Sequence, residues 1–339
     1  MKILVTGGCG YIGAHTLVDL IENGFEVISV DDLSRSNTRL LDGVEKITGR
    51  KVVNYPINLC DAQATDELFA QQSDIAGIIH FAAYKSVPES VENPLLYYHN
   101  NIASLINLLR GVEKYGIPHF IFSSSCSVYG NSEQLPVTEE TPLQKAESPY
   151  GNTKQIGEQI LADVAKVNPA SSLISLRYFN PVGAHPSALI GELQEIPQNL
   201  VPIITQTAIG KRPMLTVYGD DYETPDGSCV RDFIHIMDIA NAHTKALQYL
   251  IQQKNIENYE VFNLGSGCGV SVLEAIKAFE QVSGLSLPYQ IGARREGDVV
   301  SIYSDNQKAA RLLGWQPQYS LEDMMFTAWK WQQVMSYEL

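Results

Sequence analysis

Residues 3–13 read Ile3-Leu4-Val5-Thr6-Gly7-Gly8-Cys9-Gly10-Tyr11-Ile12-Gly13, and this run decides the architecture. Residues 3–6 read as a buried strand. Residues 12–23 read as a helix, with Gly24 in the stop position. Gly7, Gly10 and Gly13 stand three apart between them. Glycine at these places permits a tight turn, lets a pyrophosphate approach bare backbone, and allows close helix–strand packing. The helix start then offers free N–H groups and a partial positive charge to phosphate. Taken alone, an ordinary strand–helix turn accounts for these glycines equally well. Asp31 changes the balance. It ends a second strand expected at 25–30, and it lies 18 residues after Gly13. A carboxylate there accepts from both ribose hydroxyls of an adenosine and repels a 2′-phosphate, which favours NAD over NADP. Arg35 close by keeps NADP in view as the lesser alternative.

Outward from this turn, apolar runs alternate with helical patterns. Further strands are expected at 52–55, 78–81, 120–123, 173–176 and 259–263, and helices at 95–113, 150–167 and 237–250. Unbroken apolar strands alternating with amphipathic helices imply an α/β fold, a parallel sheet covered on both faces. The pattern loosens after residue 180, where Pro and Gly become frequent, and another loop-like stretch covers 219–231. The reading is a first domain over 1–180 and a smaller lobe over 181–339, with 233–264 returning to the first domain.

Tyr150-Gly151-Asn152-Thr153-Lys154 places a phenol and an ammonium four residues apart, one turn apart on a shared helix face. An ammonium beside a phenol favours the phenolate, which can then exchange a proton with a substrate hydroxyl near neutral pH. By itself this spacing describes many surface helices. Its setting is rarer. Upstream lies Phe122-Ser123-Ser124-Ser125-Cys126-Ser127-Val128-Tyr129-Gly130, the expected C-terminal end of a strand. Ligands of open α/β sheets bind outside such ends. A hydroxyl there can bond a reacting oxygen, although a plain serine turn is the simpler use of these residues.

The length of 339 residues suits one large α/β unit with a smaller lobe. A formal net charge of −14 disfavours nucleic acid and anionic membranes as general partners. No apolar stretch approaches the length of a membrane span. The five cysteines are scattered, with no C-x-x-C, which suits a reducing compartment. There is no H-E-x-x-H, and no metal site is expected; His80, His99 and His235 read as core or surface residues. Only Lys2 precedes the first strand, so no secretory leader is read, and a soluble cytoplasmic protein is the expectation.

Seven stretches, taken in order, resemble the extended short-chain dehydrogenase/reductases, and among them the UDP-glucose 4-epimerases. They are T-G-G-C-G-Y-I-G-A-H-T, H-F-A-A-Y-K-S-V-P-E-S, F-I-F-S-S-S-C-S-V-Y-G, S-P-Y-G-N-T-K, L-R-Y-F-N-P-V-G-A-H-P, G-S-C-V-R-D-F-I-H-I-M-D and R-R-E-G-D. The resemblance implies a Rossmann-type doubly wound sheet with a smaller α/β substrate lobe. It implies bound NAD, and interconversion of UDP-glucose and UDP-galactose at C4 through a transient 4-keto sugar. Tyr150 would be the acid–base, Lys154 would lower its pKa and hold the ribose, and Ser125 would bond the reacting hydroxyl. Tyr11, Ile12, Asp31, Asn58, Phe81, Ala82, Lys85 and Asn100 match cofactor contacts. Asn180, Asn199, Leu200, Arg231, Arg295 and Asp298 match contacts to the UDP-hexose. A homodimer through the helices at 95–113 and 150–167 is also implied.

Three departures from the family pattern stand out. Asn58 stands where an Asp commonly faces adenine, and its amide oxygen retains the ability to accept from the adenine amine. Asn152 and Thr153 fill the interior of the Tyr–Lys motif differently from some members. Ile302 stands at a gate where a large Tyr restricts relatives to plain hexoses and a smaller residue admits N-acetylated ones; Ile leaves the range open between them. The rivals are a UDP-N-acetylglucosamine 4-epimerase, a 4,6-dehydratase or a decarboxylase on the same scaffold. Dehydration needs an acid pair just after the strand-end hydroxyl, where this chain has Cys126-Ser127. A non-catalytic NAD sensor would have no need of Ser125, Tyr150 and Lys154.

Overall fold

Ile3 and Val5 of strand β1 (Lys2–Thr6) pack on one side of a sheet and Leu4 on the other, and all three are fully buried. The same alternation recurs along β2 (Glu26–Val30), β4 (Ile75–His80), β5 (His119–Ser125), β6 (Ser172–Tyr178) and β7 (Tyr259–Leu264), while the short edge strand β3 (Val53–Tyr55) is partly exposed. Ile79, Ile121 and Ile174 join the first layer, and Ile78, Phe120, Phe122 and Leu173 the second. Because successive side chains point to opposite faces, strands apolar at every position need cover on both. This computed structural model describes residues 1–193, 196–295 and 299–337.

The seven strands form one parallel sheet in the order β3-β2-β1-β4-β5-β6-β7. Helices α1 (Tyr11–Glu22) and α2 (Arg39–Thr48) cover the first face. Helices α3 (Ala62–Gln71), α5 (Pro94–Tyr115) and α6 (Pro149–Val167) cover the second, with the short α4 (Val87–Glu92) ahead of α5. The order reverses between β1 and β4, and the crevice above that point is where such sheets bind ligands. This is the Rossmann-type doubly wound arrangement.

The chain after β6 builds a second core from Val182, Val201, Ile204, Phe233, Phe279 and Met325. Helices α7 (Leu200–Ala208), α9 (Val272–Ser283) and α11 (Leu321–Tyr337) surround it. Short strand pairs stitch it together: Asn180–Val182 with Phe233–His235, Leu215–Tyr218 with Tyr289–Gly292, and Val230–Arg231 between Val270–Ser271 and Ser301–Ile302. Between them the chain returns to the sheet. Helix α8 (Ile236–Ile251) adds Ile239, Ala242 and Ala246 to the first face, and β7 pairs in parallel with β6. Helix α10 (Gln307–Leu313) buries Ala309 and Leu313 in the same layer.

Candidate active site

The turn after β1 is built for backbone rather than side chains. Gly7 has φ +70, and a Cβ there would lie 2.9 Å from Ala82 N. A Cβ on Gly13 would meet Gly7 O at 2.2 Å, and one on Gly8 would meet Ser29 Oγ at 2.4 Å. Gly10 caps α1 with no side-chain hydrogen bond, and no acid stands in the first helical turn. The N–H groups of Tyr11, Ile12 and Gly13 therefore meet neither a capping side chain nor a carboxylate, an arrangement suited to an anion. The Tyr11 hydroxyl donates to Gly183 O at 2.6 Å, so its side chain faces the second lobe and leaves its backbone at the turn.

Asp31 sits just past β2. Its Oδ2 accepts from Cys9 N at 3.2 Å, and its Oδ1 accepts from Leu33 N at 3.1 Å and Ser36 Oγ at 2.7 Å. The carboxylate thus bridges the glycine turn and the loop after β2. Phe81 N and Ala82 N donate to Thr6 O and Thr6 Oγ1 at 3.1 and 3.2 Å, locking the ends of β1 and β4 side by side. Asn58 is exposed, and its Oδ1 accepts from Cys60 N at 2.9 Å, so the oxygen expected to face adenine already has a local partner. Asn100 donates to Asn101 Oδ1 at 3.0 Å. Lys85 and Asn199, expected at the cofactor and the sugar nucleotide respectively, each lie 3.4 Å from Glu192 Oε1.

Helix α6 begins at Ser148, whose hydroxyl accepts from Gly151 N at 3.1 Å, with Pro149 in its first turn. That start sets Tyr150 and Lys154 on one face above the end of β5. Lys154 Nζ lies 5.9 Å from the Tyr150 ring centre and donates to Ser123 O at 2.6 Å. Burial pushes the Tyr150 phenol up to about 12; a hydrogen bond with Ser125 opposes the shift and Cys126 adds to it. Burial likewise brings Lys154 down to about 8, against the pull of Glu158. Without cofactor or substrate, burial sets both groups. The ammonium itself is engaged with the Ser123 carbonyl.

Cys126 and Ser127 form a short turn, Cys126–Tyr129, and Ser127 N donates to Ser125 Oγ at 3.2 Å. The Cys126 thiol is pushed up to about 12 by burial, with Arg231 acting against that and Asp232 with it. Arg231 Nη1 donates to Val230 O and Val299 O at 2.9 and 2.6 Å. The Asp232 carboxylate accepts from Ser266, Gly267 and Ser304, so it anchors loops. Asn180 Oδ1 is buried with no hydrogen-bond partner among the described residues. Asn199 precedes α7, and Leu200 opens it with its side chain against the second core. The Arg295 guanidinium lies 5.5 Å from the Tyr218 ring. Ile302 is buried with Val128, Tyr129 and Phe179 and pairs in register with Arg231. Asp298 lies outside the described residues. His80 is buried against Thr6, His235 is buried against Thr327, and His99 is exposed. The described residues contain no cluster that would hold a metal ion, and none of their helices is long and apolar enough to cross a membrane.

Several residues of the site were passed over in the sequence. Gly8 is as sterically constrained as its neighbours. Asn101 ties α5 to α6 and to the loop before α4, through Thr153 Oγ1 at 3.1 Å and both backbone groups of Tyr84. Thr6 pairs with both Ala82 and His80. Glu158, Ser124 and Arg177 form a buried polar cluster under the Tyr–Lys pair. A Glu four residues after the Lys, and the Arg inside L-R-Y-F-N, were the signals available.

The geometry agrees with what the chain is similar to. The family described as GDP-mannose 4,6 dehydratase matches residues 4–327. A UDP-glucose 4-epimerase of Dictyostelium discoideum is 48% identical over 98% of this chain and 96% of its own length. The UDP-glucose 4-epimerase of Stenotrophomonas maltophila, solved with bound NAD and formylated UDP-arabinopyranose, superposes with a TM-score of 0.96 at 44% identity, covering all of both chains. That of Bifidobacterium longum, solved with NAD+ and UDP, gives 0.95 at 43% identity, again over both whole chains. The glycine turn, the Tyr–Lys helix above a strand-end serine and this full-length likeness lead to one conclusion: the chain belongs to the GDP-mannose 4,6 dehydratase family and, within it, to the UDP-glucose 4-epimerases.

Proposed function

We propose that the chain interconverts UDP-glucose and UDP-galactose by oxidation and reduction at C4, with NAD retained through the cycle. The observation that carries this is the convergence of Ser125, Tyr150 and Lys154 at the strand ends beside the bare glycine turn. The residues fit the cofactor. A side chain at Gly7, Gly8 or Gly13 would strike neighbouring protein atoms and distort the turn that a pyrophosphate needs, and Asp31 stands at the end of β2 for the adenosine ribose. When bound in this cradle, NAD would supply a reversible hydride acceptor for C4 and positive charge that favours the phenolate.

Tyr150 takes the proton from the C4 hydroxyl and later returns it, while Ser125 steers that oxygen by hydrogen bonding. Lys154 keeps positive charge beside the phenol and offers its remaining N–H groups to the cofactor ribose. Asn180, Asn199, Leu200, Arg231, Arg295 and Asp298 grip the UDP portion; a guanidinium offers a rigid fork of donors to a diphosphate. Firm binding of UDP with a loosely held hexose lets the 4-keto sugar turn over between the two hydride transfers. Tyr11, Ile12, Asn58, Phe81, Ala82, Lys85 and Asn100 complete the cofactor side. The sheet with α1–α6, α8 and β7 holds the cofactor, and the remainder of residues 181–339 holds the sugar nucleotide.

The test is incubation of the purified protein with UDP-galactose, without added NAD, followed by NMR of the sugar products. UDP-glucose is expected to appear. No conversion even after NAD is supplied would overturn the assignment. A parallel tube with UDP-N-acetylgalactosamine reads the space that Ile302 leaves, and turnover there would widen the substrate class.

The finer arrangement we propose is a cytoplasmic homodimer joined through α5 and α6. The exposed Leu95 and the half-buried Ile102, Ile106 and Ile156 supply an apolar surface on these helices. Burying such a surface against its copy is favourable. Light scattering is expected to give twice the single-chain mass, and a single-chain mass would refute the dimer. Five free cysteines, two of them buried, support a reducing compartment, and cell fractionation checks it.

A further inference from the structure

We infer that Glu158 is a positioning residue for the Tyr150–Lys154 pair, clamping the catalytic helix to the strand that carries Ser125 and holding the counter-charge one turn from Lys154. The inference rests on the acid–base reading of Tyr150 and Lys154 given above.

Glu158 and Arg177 are each only 5% exposed. Glu158 Oε1 accepts from Ser124 Oγ at 2.5 Å and from Arg177 Nε at 2.9 Å, and its Oε2 accepts from Arg177 Nη2 at 2.6 Å. One carboxylate on α6 therefore grips β5 and β6 at once. Ser124 and Arg177 are register partners on those strands. Ser124 also lies between the two residues that matter to catalysis: the Ser123 carbonyl accepts from Lys154 at 2.6 Å, and Ser125 meets Tyr150. Tyr150, Lys154 and Glu158 follow one another at four-residue steps, so they share one helix face. Fixing the last fixes the rotation and height of the first two above the strand ends.

The grip extends to the returning strand. Arg177 Nη1 donates to the Tyr129 hydroxyl at 2.9 Å, which donates to Asn263 Oδ1 at 2.6 Å. Burying a carboxylate and a guanidinium is costly unless their bonds are satisfied, and here both are multiply bonded. Such a cluster contributes registry more than stability.

The charge has its own role. Around Lys154 stand His80 on β4 and Tyr150 and Glu158 on α6, with Tyr178 on β6 held at Ser123 and Arg177 on β6 held at Glu158. Burial holds His80 down to about 3, so it is neutral, and burial also raises Tyr178, which stays a neutral phenol. The Glu158 carboxylate draws Lys154 upward against desolvation.

The test compares kcat, KM and the pH profile of Glu158→Gln with those of the unaltered enzyme. We expect kcat to fall about ten- to a hundred-fold from misplacement of the pair, with KM for UDP-galactose little changed. The alkaline limb of the profile moves about one pH unit towards acid as Lys154 loses its counter-charge. NMR of the lysine side-chain carbons, assigned with Lys154→Met, follows the same titration without turnover. A folded Glu158→Gln with unaltered kcat, limb and titration would overturn the inference. Should that variant fail to fold because Arg177 is left charged and buried, two others decide. Ser124→Ala keeps the ion pair and is expected to lower kcat with the limb unmoved. Glu158→Gln/Arg177→Met removes both charges and is expected to shift the titration in the same direction by less. Unaltered kcat in the first, or an unaltered titration in the second, overturns the inference. An enzyme inactive on UDP-galactose would instead remove the proposed function, and the NMR titration would still decide the role of Glu158.

Discussion

Tyr150→Phe is expected to lower kcat on UDP-galactose by at least about 10²-fold, the usual value of a positioned acid–base group. The change removes one oxygen and leaves the ring in its place on α6. The Gly7–Gly13 turn and Asp31 are built from other elements, so the NAD that co-purifies should be retained. Stability should fall by no more than about 1 kcal/mol, the net value of the lost hydrogen bond with Ser125. The measurements are NMR turnover and the NAD released on denaturation. A variant keeping more than a tenth of the rate would show that another group carries the proton. Loss of NAD together with the rate would mean that the phenol acts in binding.

Gly13→Ala is expected to abolish NAD retention, and turnover with it. The added methyl would meet Gly7 O at 2.2 Å and Gly8 Cα at 2.8 Å. Both are backbone atoms of the cradle, so the clash can be relieved only by moving the turn away from α1. Overpacking of this kind costs about 1–3 kcal/mol. In a chain of this size each kcal/mol lowers Tm by about 1–2 °C. The fold should therefore survive with a reduced Tm, while the N–H groups at the start of α1 no longer converge. Calorimetry and cofactor analysis separate the two effects. Full NAD content in the purified variant would mean that the pyrophosphate lies elsewhere.

The elements that proved legible share a physical reason. β1, β4, β5 and β6 are buried on both faces, so their apolar runs are unbroken, and α5 and α6 carry long stripes of buried residues. Helix α3 escaped because only Thr65, Leu68 and Phe69 are buried along it. The strands of two to four residues in the second lobe escaped because their existence depends on partners far away, as Val230–Arg231 depends on Ser301–Ile302. Within the site, the glycine spacing and the Tyr–Lys spacing are local and were readable. The Glu158–Arg177 pair was not, because charged residues in sequence read as surface until a fold buries them. Nor was the raised Tyr150 phenol, since desolvation belongs to the folded surroundings and not to the motif.

The return of β7 to the edge of β6 bears on how the chain is made. As it leaves the ribosome, the first six strands are available well before Tyr259–Leu264, and until then β6 is an open edge with unpaired backbone groups. Asn263, which closes the hydrogen-bonded chain from Glu158 through Arg177 and Tyr129, arrives on that same late strand. Contacts of such high sequence separation form slowly. A nascent or truncated chain ending before residue 259 would therefore present a sticky sheet edge and an incomplete catalytic floor together. Its needs during synthesis are those of a multidomain protein: protection of an exposed edge until the second half has been threaded home.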